Sequence, residues 1–326
     1  MANCTNLVES NGGGSLYGQL SSDPVDMLLE DSSVLAVIEH DVPCANTELA
    51  RYFRSGLPCL GGQGQKEVWR ANGPVESGLT GVCYWSESPD YLFAGRWLPQ
   101  TGSDIVRQAY GELLALAEQR GFPHLVRFWN YIADINQGTA DQEHYRQFCQ
   151  GRHYAFMDSG YENKRFPAAT AVGHRYSDGL VCMLAGRAAC DYFENPRQVS
   201  AYNYPRKYGP KSPSFARASL NEQTLFISGT ASIVGHETQK TGDLPGQIDV
   251  TISNIRELLN SIRVKRDISR ELQPSMLKVY LRNADDFVVA GEQIQAYFGT
   301  GVEIFYVQAD ICRAELLVEI EGICVL

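Results

Sequence analysis

Tyr91–Gly95 (YLFAG) and Leu225–Gly229 (LFISG) are two apolar runs, and each ends in glycine. Each run is followed, across a loop, by a segment in which aliphatic residues recur every three or four positions, at Ile105–Leu116 and at Ile248–Ile262. This spacing predicts two amphipathic helices, each with one buried stripe. The chain therefore contains a predicted strand followed by a long helix twice.

The order of elements after the two helices is also the same. Each helix precedes a predicted strand that ends in an acidic residue, then a short helix with aromatic residues, then a strand closed by glycine. The glycines that close the first and last strands are 91 positions apart in one half and 93 in the other. The sequence therefore predicts an α+β protein built from two diverged repeats. The predicted ranges, first repeat and then second, are Leu125–Asp134 and Met276–Asp285, His144–Cys149 and Glu292–Phe298, and Leu180–Gly186 and Leu316–Gly322.

The segments outside the repeats have weaker patterns. The polar stretch Met1–Ser22 contains three consecutive glycines and is predicted to be a flexible lead-in. Val34–Ile38 is predicted to be a strand, and Gly61–Gln65 a turn. Asp191–Phe215, rich in Pro, Tyr, Arg and Lys, is predicted to be a long ordered loop, a type of segment that often carries function.

Composition excludes several classes of protein. The net charge of −10 argues against a nucleic-acid partner, although a few arginines in a cleft can still bind a small dianion. No apolar run approaches 18 residues, and the polar amino terminus lacks the pattern of a secretory signal, so no membrane partner is expected. The nine cysteines lack C-x-x-C spacing and the histidines lack metal-ligand spacing, so we expect no disulfide framework, metal or organic cofactor. A cytoplasmic location fits best.

Several motifs of the second repeat resemble known families. Leu225–His236 (LFISGTASIVGH) and the terminal Val318–Glu321 strand resemble the RidA/YjgF family. Pro196–Ala218 (PRQVSAYNYPRKYGPKSPSFARA) and Asp310–Gly322 (DICRAELLVEIEG) resemble the narrower family of chorismatases, which cleave chorismate. The resemblance covers about residues 80–326. It implies two RidA/chorismate-mutase-like repeats, with mixed sheets and long helices packed on one side.

The resemblance also suggests how the chain is divided. Residues 1–79 are expected to form an extension that packs on the core, and residues 80–214 the first RidA-like half with the connecting loop. Residues 215–326 are expected to form the second half, which carries the acid. Met183 stands where the second half has Glu319, counting back from the closing glycine, so we expect the first half to be scaffold. The oligomeric state, monomer or small homo-oligomer, is left open.

The chemistry that the resemblance implies requires an acid. Chorismate is a dianion, and cleavage of its enolpyruvyl ether requires a proton on the terminal methylene carbon. Strand alternation places Glu319 and Glu321 on one face, where desolvation and mutual repulsion would raise their proton affinity. The pattern alone favours a solvent-facing carboxylate face. The resemblance places the family's acid at Glu319, and for Glu321 we keep the solvent-facing interpretation.

Cationic and phenolic residues are the candidates for substrate binding. Arg313 resembles the family's carboxylate ligand, and Arg152 follows the short helix where RidA proteins place a substrate-binding arginine. Arg206 lies among tyrosines that include Tyr202 and Tyr208. A guanidinium group can donate two parallel hydrogen bonds to a carboxylate, and tyrosine can contact a planar ring. For any one of these residues, a surface salt bridge or loop packing is an equally common role.

Ala231 and Cys312 resemble the pair found in chorismatases that form 3-hydroxybenzoate. The resemblance therefore implies an enzyme that releases pyruvate and 3-hydroxybenzoate from chorismate. Three alternatives remain: hydrolysis of chorismate to a dihydroxycyclohexadienoate, a RidA-like enamine or imine deaminase, and a binding module without catalysis. A small buried hydrophobic side chain is the common role of a free cysteine such as Cys312.

Overall fold

The computed structural model describes residues 16–62, 64–161 and 165–326. The predicted lead-in falls largely on residues 1–15, outside the described residues, as does Gln63 of the predicted turn. The prediction is wrong for Leu16–Ser21, which forms strand β1 and pairs antiparallel with a strand at Lys66–Ala71. Pairing with a neighbouring strand thus orders a segment whose composition alone carries no strand signal.

The amino-terminal part forms a four-stranded sheet in the order β1-β5-β2-β3. Within it, β5 is antiparallel to both neighbours, whereas β2 and β3 are parallel. The predicted strand at Val34–Ile38 is confirmed. The elements after β1 are α1 Val25–Glu30, β2 Val34–Glu39, β3 Tyr52–Arg54, β4 Cys59–Gly61 and β5 Lys66–Ala71.

The next part of the chain forms the first of two seven-stranded mixed sheets. Its order is β19-β10-β9-β11-β8-β7-β6, where β19 is the short strand Asp310–Ile311 from the carboxy-terminal part. Strands β9 and β10 are parallel, and β11 is antiparallel to both β8 and β9. The elements are β6 Glu76–Thr80, β7 Cys83–Glu87, β8 Tyr91–Leu98, α2 Ser103–Gln119, β9 His124–Ala133, α3 His144–Asp158, β10 Ala168–His174 and β11 Gly179–Gly186.

The second seven-stranded sheet repeats this arrangement. Its order is β12-β13-β14-β20-β17-β18-β4, with β17 and β18 parallel and β20 antiparallel to both β14 and β17. The predicted α+β class and internal repeat are therefore confirmed. The elements are β12 Cys190–Phe193, β13 Ala218–Asn221, β14 Thr224–Ala231, β15 Ile233–Val234, β16 Glu237–Thr238, α4 Leu244–Lys265, β17 Met276–Leu281, α5 Phe287–Phe298, β18 Glu303–Gln308, β19 Asp310–Ile311 and β20 Val318–Val325.

Both faces of the central strands of each large sheet are buried. One face packs on the helices of its own half, through apolar stripes such as Val106–Leu113 of α2 and Ile248–Ile262 of α4. The opposite faces meet in a central core that the amino-terminal sheet also enters. Its Trp69 lies with its ring centroid 5.1 Å from that of Trp129 and 5.7 Å from that of Phe226, one residue in each half. Burial on both faces explains why the sequences of these strands are continuous apolar runs.

Several predicted boundaries are wrong. The short helix predicted at His144–Cys149 extends to Asp158, and the strand predicted at Met276–Asp285 ends at Leu281, before a 3-10 turn. Strands β10 and β18 were not predicted, and Cys190–Phe193 at the start of the predicted long loop is a strand. The division at residues 79 and 214 stays a prediction. Within the described ranges, no helix is long and apolar enough to cross a membrane.

Candidate active site

A cavity of about 410 Å³ lies where the two halves meet. The first half contributes residues of β10 and the buried Arg152 of α3, and the second contributes β14, β20 and the loop that follows β19. The segment before β13 closes another side with Tyr204, Tyr208 and Phe215. The cavity therefore brings together segments that are distant in sequence, and six of the eight predicted site residues line it.

Glu319 lies in β20, opposite Ala231 of β14, and lines the cavity, although the residue is only 4% exposed. Space for its carboxyl group depends on Gly229, because a Cβ atom there would lie 2.0 Å from Glu319 Oε1. The pairing of β14 with β20 shifts register between Ile227 and Thr230, next to this glycine. A local irregularity of the sheet thus makes room for the candidate acid.

The pKa of Glu319 is raised to about 8. Burial is the main cause and the negative charge of Glu321 the second, and together they outweigh the opposing effect of Arg127 and Arg217 on this pKa. A carboxyl group with a pKa of about 8 retains its proton at neutral pH. It can therefore donate that proton to a substrate.

Glu321 differs from the sequence-based interpretation, because its side chain is buried rather than solvent-facing. Its carboxylate accepts hydrogen bonds from Arg127 Nη2 at 2.9 Å, Trp129 Nε1 at 3.0 Å and the Tyr280 hydroxyl at 2.8 Å. Lys278 Nζ lies 3.1 Å away. Burial opposes ionisation, but Lys278 and then Arg127 outweigh it, so the pKa of Glu321 is lowered. The expectation that the two carboxyl groups raise each other's pKa is therefore wrong for Glu321.

Arg152 is buried beneath the cavity wall. Its guanidinium carbon lies 4.7 Å from the ring centroid of Phe148 and 5.9 Å from that of Phe215. Within the part of the chain that the structure describes, its Nε atom has no hydrogen-bond partner. A buried cation with an unused donor is a suitable ligand for an anionic group.

Arg217 also lines the cavity and was not among the predicted site residues. Its Nη2 atom donates to the Val199 carbonyl at 3.1 Å and to the Tyr204 hydroxyl at 2.9 Å. Its buried Nε atom likewise has no partner among the described residues. Arg217 lies near the end of the Pro196–Ala218 motif, which resembles the chorismatases. The motif alone did not distinguish Arg217 from the other basic residues within it.

Arg313 and Tyr208 meet at the cavity wall. The guanidinium carbon of Arg313 lies 4.0 Å from the Tyr208 ring centroid and 5.4 Å from that of Tyr204. Arg313 Nη1 also donates to the His236 carbonyl at 3.0 Å and to Thr238 Oγ1 at 3.1 Å. Stacking and hydrogen bonding hold this guanidinium group in place.

The structure places two predicted substrate ligands outside the cavity lining. Arg206 is 64% exposed and donates to both carboxylate oxygens of Asp141, at 3.0 and 2.5 Å. Tyr202 packs against Phe166, with ring centroids 5.7 Å apart. Both residues lie in 3-10 turns of the loop. From the same loop, Tyr204 and Tyr208 line the cavity instead.

Ala231 and Cys312 lie together on the cavity wall, in an apolar cluster with Ile233, Ile311 and Leu316. Burial, and then the nearby Glu319, raise the pKa of the Cys312 thiol to about 12. The thiol is therefore neutral at physiological pH. In the described part of the chain, no group of three or more His, Cys, Asp or Glu residues is arranged to hold a metal ion.

Comparisons with known proteins agree with this arrangement. Residues 67–185 match the family model for the FkbO/Hyg5-like chorismatase N-terminal region. The chain is 37% identical over 273 residues to a 3-hydroxybenzoate synthase of Streptomyces hygroscopicus, covering 79% of this chain and 80% of the relative. It is 34% identical over 311 residues to a chorismatase of Streptomyces rapamycinicus, covering 90% of this chain and 93% of the relative.

A crystal structure of a chorismatase superposes on the model with a TM-score of 0.82 at 31% sequence identity. The match covers 95% of this chain and 98% of the other. The chain belongs to the chorismatase family.

Proposed function

We propose that this enzyme cleaves chorismate into pyruvate and 3-hydroxybenzoate, with Glu319 as the proton donor. The observation that carries the proposal is a buried carboxyl group with a pKa of about 8, inside a cavity that also contains cationic side chains with unused donors. The names of the sequence relatives support this choice of substrate and products.

The charges of the cavity suit a dianion. Arg152 and Arg217 each present a buried Nε atom without a partner among the described residues, and Arg313 is held over Tyr208. Two carboxylates of chorismate would supply the acceptors that these donors lack. Tyr208 and Phe215 would line the ring. We propose that Arg206 and Tyr202 act indirectly, by fastening and packing the loop.

Proton transfer from Glu319 would begin the reaction. The proton adds to the terminal methylene carbon of the enolpyruvyl group, and the ether carbon becomes an oxocarbenium centre. The bond between the ring carbon and the ether oxygen then breaks, its electron pair stays with oxygen, and pyruvate forms. The cation that remains lies on C3, the ring carbon that carried the ether, next to the hydroxyl group on C4. The C4 hydroxyl oxygen bonds to C3 to form a protonated epoxide, the C4–O bond then breaks, and the positive charge moves to C4. Loss of the C3 proton to the Glu319 carboxylate makes the ring aromatic, with its hydroxyl group on C3, and restores the acid.

Ala231 and Cys312 would determine the product. Chorismate has the same atoms as pyruvate and 3-hydroxybenzoate together, so this route consumes no water, whereas hydrolysis to the dihydroxycyclohexadienoate consumes one. The Ala231 methyl group and the neutral Cys312 thiol occupy space beside Glu319 that a water molecule would need. The hydroxyl group of the product then derives from the substrate ring.

Incubation with chorismate tests the activity, with pyruvate and ring products measured by chromatography. Glu319→Gln keeps the shape of the side chain but cannot donate a carboxyl proton, so turnover should fall about 100- to 10,000-fold, or roughly 3–5 kcal/mol of barrier, while binding survives. Glu292→Gln on the exposed surface of α5 is the matched control and should leave turnover unchanged. Pyruvate release by Glu319→Gln at the wild-type rate would show that another group is the acid.

Oxygen-18 water tests the product assignment. Wild-type 3-hydroxybenzoate should carry no solvent label in its ring hydroxyl group. Enlarging the space with Ala231→Gly and Cys312→Ala together should shift products towards the dihydroxycyclohexadienoate. Solvent label in the wild-type hydroxyl group would contradict the proposed role of these two side chains.

A further inference from the structure

We infer that Glu321 is a positioning residue for the reaction: a fixed negative charge that keeps Glu319 in its proton-bearing form, held by an ion network that reaches into the amino-terminal sheet. This inference rests on the proposed function, because it concerns the acid of that reaction. Neither Glu321 nor the network lines the cavity.

The spacing of the two acids is set by the strand. Residues two apart in β20 lie on the same face, with their Cα atoms about 7 Å apart. The residues Glu319 and Glu321 are each only 4% exposed, so water screens the repulsion between their carboxyl groups poorly. A negative charge on Glu321 therefore opposes a second negative charge on Glu319.

The partners of Glu321 keep it ionised. Lys278 and Arg127 are cations that lie within 3.1 Å of its oxygens, and both are 2% exposed. Trp129 and Tyr280 supply two further hydrogen bonds. Arg127 also donates to the carbonyl of Ile227 at 3.0 Å, so its position is fixed from the opposite half. These four donors favour the ionised form of the Glu321 carboxylate, so it stays deprotonated near neutral pH.

The network extends to the amino-terminal sheet through Lys278. Its Nζ atom lies 2.6 Å from Glu67 Oε1, and His40 Nε2 lies 2.7 Å from the same oxygen. Burial lowers the pKa of His40, so this ring is neutral, and the Ser55 hydroxyl group lies 2.8 Å from its other nitrogen. Burial opposes ionisation of Glu67, but the Lys278 charge and the hydrogen bond with His40 together outweigh it and lower the pKa of Glu67.

The charges of the network around Glu321 balance without Glu319. Glu67 and Glu321 are the anions, and Lys278 and Arg127 are the cations. An ionised Glu319 would add a third anion, which a buried region accommodates poorly, so the proton stays on Glu319. The remaining titratable groups that face this network are Arg217 and Cys312 beside Glu319, Tyr131 and Tyr280 beside Lys278 and Glu321, and Cys182 beside Glu67 and Lys278.

The pH dependence of kcat/KM tests this inference, because it reports the ionisation of the free enzyme. In the wild type, pyruvate release should fall as pH rises through about 8. Glu321→Gln removes the negative charge next to Glu319, so the pH at which kcat/KM falls should decrease by about one to two pH units. Glu321→Asp keeps the charge and should retain the wild-type profile. Tyr280→Phe removes one hydrogen bond but no charge, and should also retain it.

The outcomes separate this inference from the proposed function. A folded Glu321→Gln enzyme whose activity is reduced equally at every pH would give Glu321 a purely structural role and overturn the inference, while pyruvate release still supports the function. If Glu321→Gln does not fold, the same measurement is made on Glu67→Gln, which removes the other anion of the network. A smaller shift of the fall in kcat/KM to lower pH supports the inference. A fall at the wild-type pH or at higher pH overturns it. A wild type that releases no pyruvate would instead refute the proposed function.

Discussion

The substitution Glu319→Gln should stabilise the protein, and only above about pH 5. In the unfolded chain a glutamate has a pKa near 4.5, whereas burial and Glu321 raise the native pKa of Glu319 to about 8. Below pH 4.5 both states hold the proton. Between pH 4.5 and 8 the unfolded chain loses it and the native protein keeps it, so unfolding releases a proton and the native state loses stability as pH rises.

The magnitude follows from the distance between pH and the unfolded pKa. At pH 7 the gap to 4.5 corresponds to about 3 kcal/mol of lost stability, and at pH 5 to less than about 1 kcal/mol. Glutamine carries no charge at either pH, so Glu319→Gln avoids this loss. Because the amide must still be desolvated in the cavity wall, we expect a net gain of about 1–3 kcal/mol at pH 7.

Urea unfolding at pH 5 and pH 7 measures the effect. The buried Trp69 and Trp129 supply a fluorescence signal from the central core. The difference in unfolding free energy between variant and wild type should grow by about 2 kcal/mol from pH 5 to pH 7, and other titrating groups cancel in that difference. Glu292→Gln on the exposed surface of α5 is the control variant in the same measurement.

Two results would refute this reasoning. A stability difference that is the same at both pH values would mean that Glu319 is already ionised in the native protein at pH 7. A variant that becomes relatively less stable as pH rises would mean that the native pKa lies below the unfolded one. In either case Glu319 would be ionised at neutral pH and could not serve as the proton donor.

Two further predictions concern the geometry of the site. Gly229→Ala should lower the rate of pyruvate release about 100-fold or more, because its Cβ atom would lie 2.0 Å from Glu319 Oε1, whereas Gly291→Ala, with nothing within 4 Å, should be neutral. A Gly229→Ala enzyme with wild-type turnover would contradict the position assigned to the acid. Arg152→Ala should raise KM for chorismate about 10- to 100-fold, as expected for a lost charge-assisted hydrogen bond, while Arg206→Ala should leave KM nearly unchanged in initial-rate measurements. Equal effects of the two arginine substitutions would argue against this division of roles.

The local pattern was sufficient for the regular parts of the fold. The three- and four-residue spacing at Ile105–Leu116 and Ile248–Ile262 identified the two long helices, because amphipathic periodicity depends only on near neighbours. Strand β10 (AATAVGH) was missed because its residues are small and do not alternate. It is a strand because β9 pairs with it along its whole length.

The site was predictable where a motif carried the residue. Resemblance identified Glu319, Arg152, Arg313, Tyr208, Ala231 and Cys312, all of which line the cavity. It could not separate Arg206 from Arg217, because both lie in the basic motif Pro196–Ala218. Tertiary packing separates them, because the Arg206 guanidinium group pairs with Asp141 at the surface, whereas Arg217 is buried and lines the cavity.

For the two glutamates of β20, the local sequence predicts which face of the strand they share but not which of them is protonated. Strand alternation alone puts Glu319 and Glu321 on one face, and this is correct. Their opposite protonation depends on Arg127 and Lys278, which approach Glu321 from two other strands, one of them in the other half and 194 residues away in sequence. Burial and charge in a folded protein depend on neighbours in space, so which of two similar carboxyl groups holds the proton follows from packing between the halves.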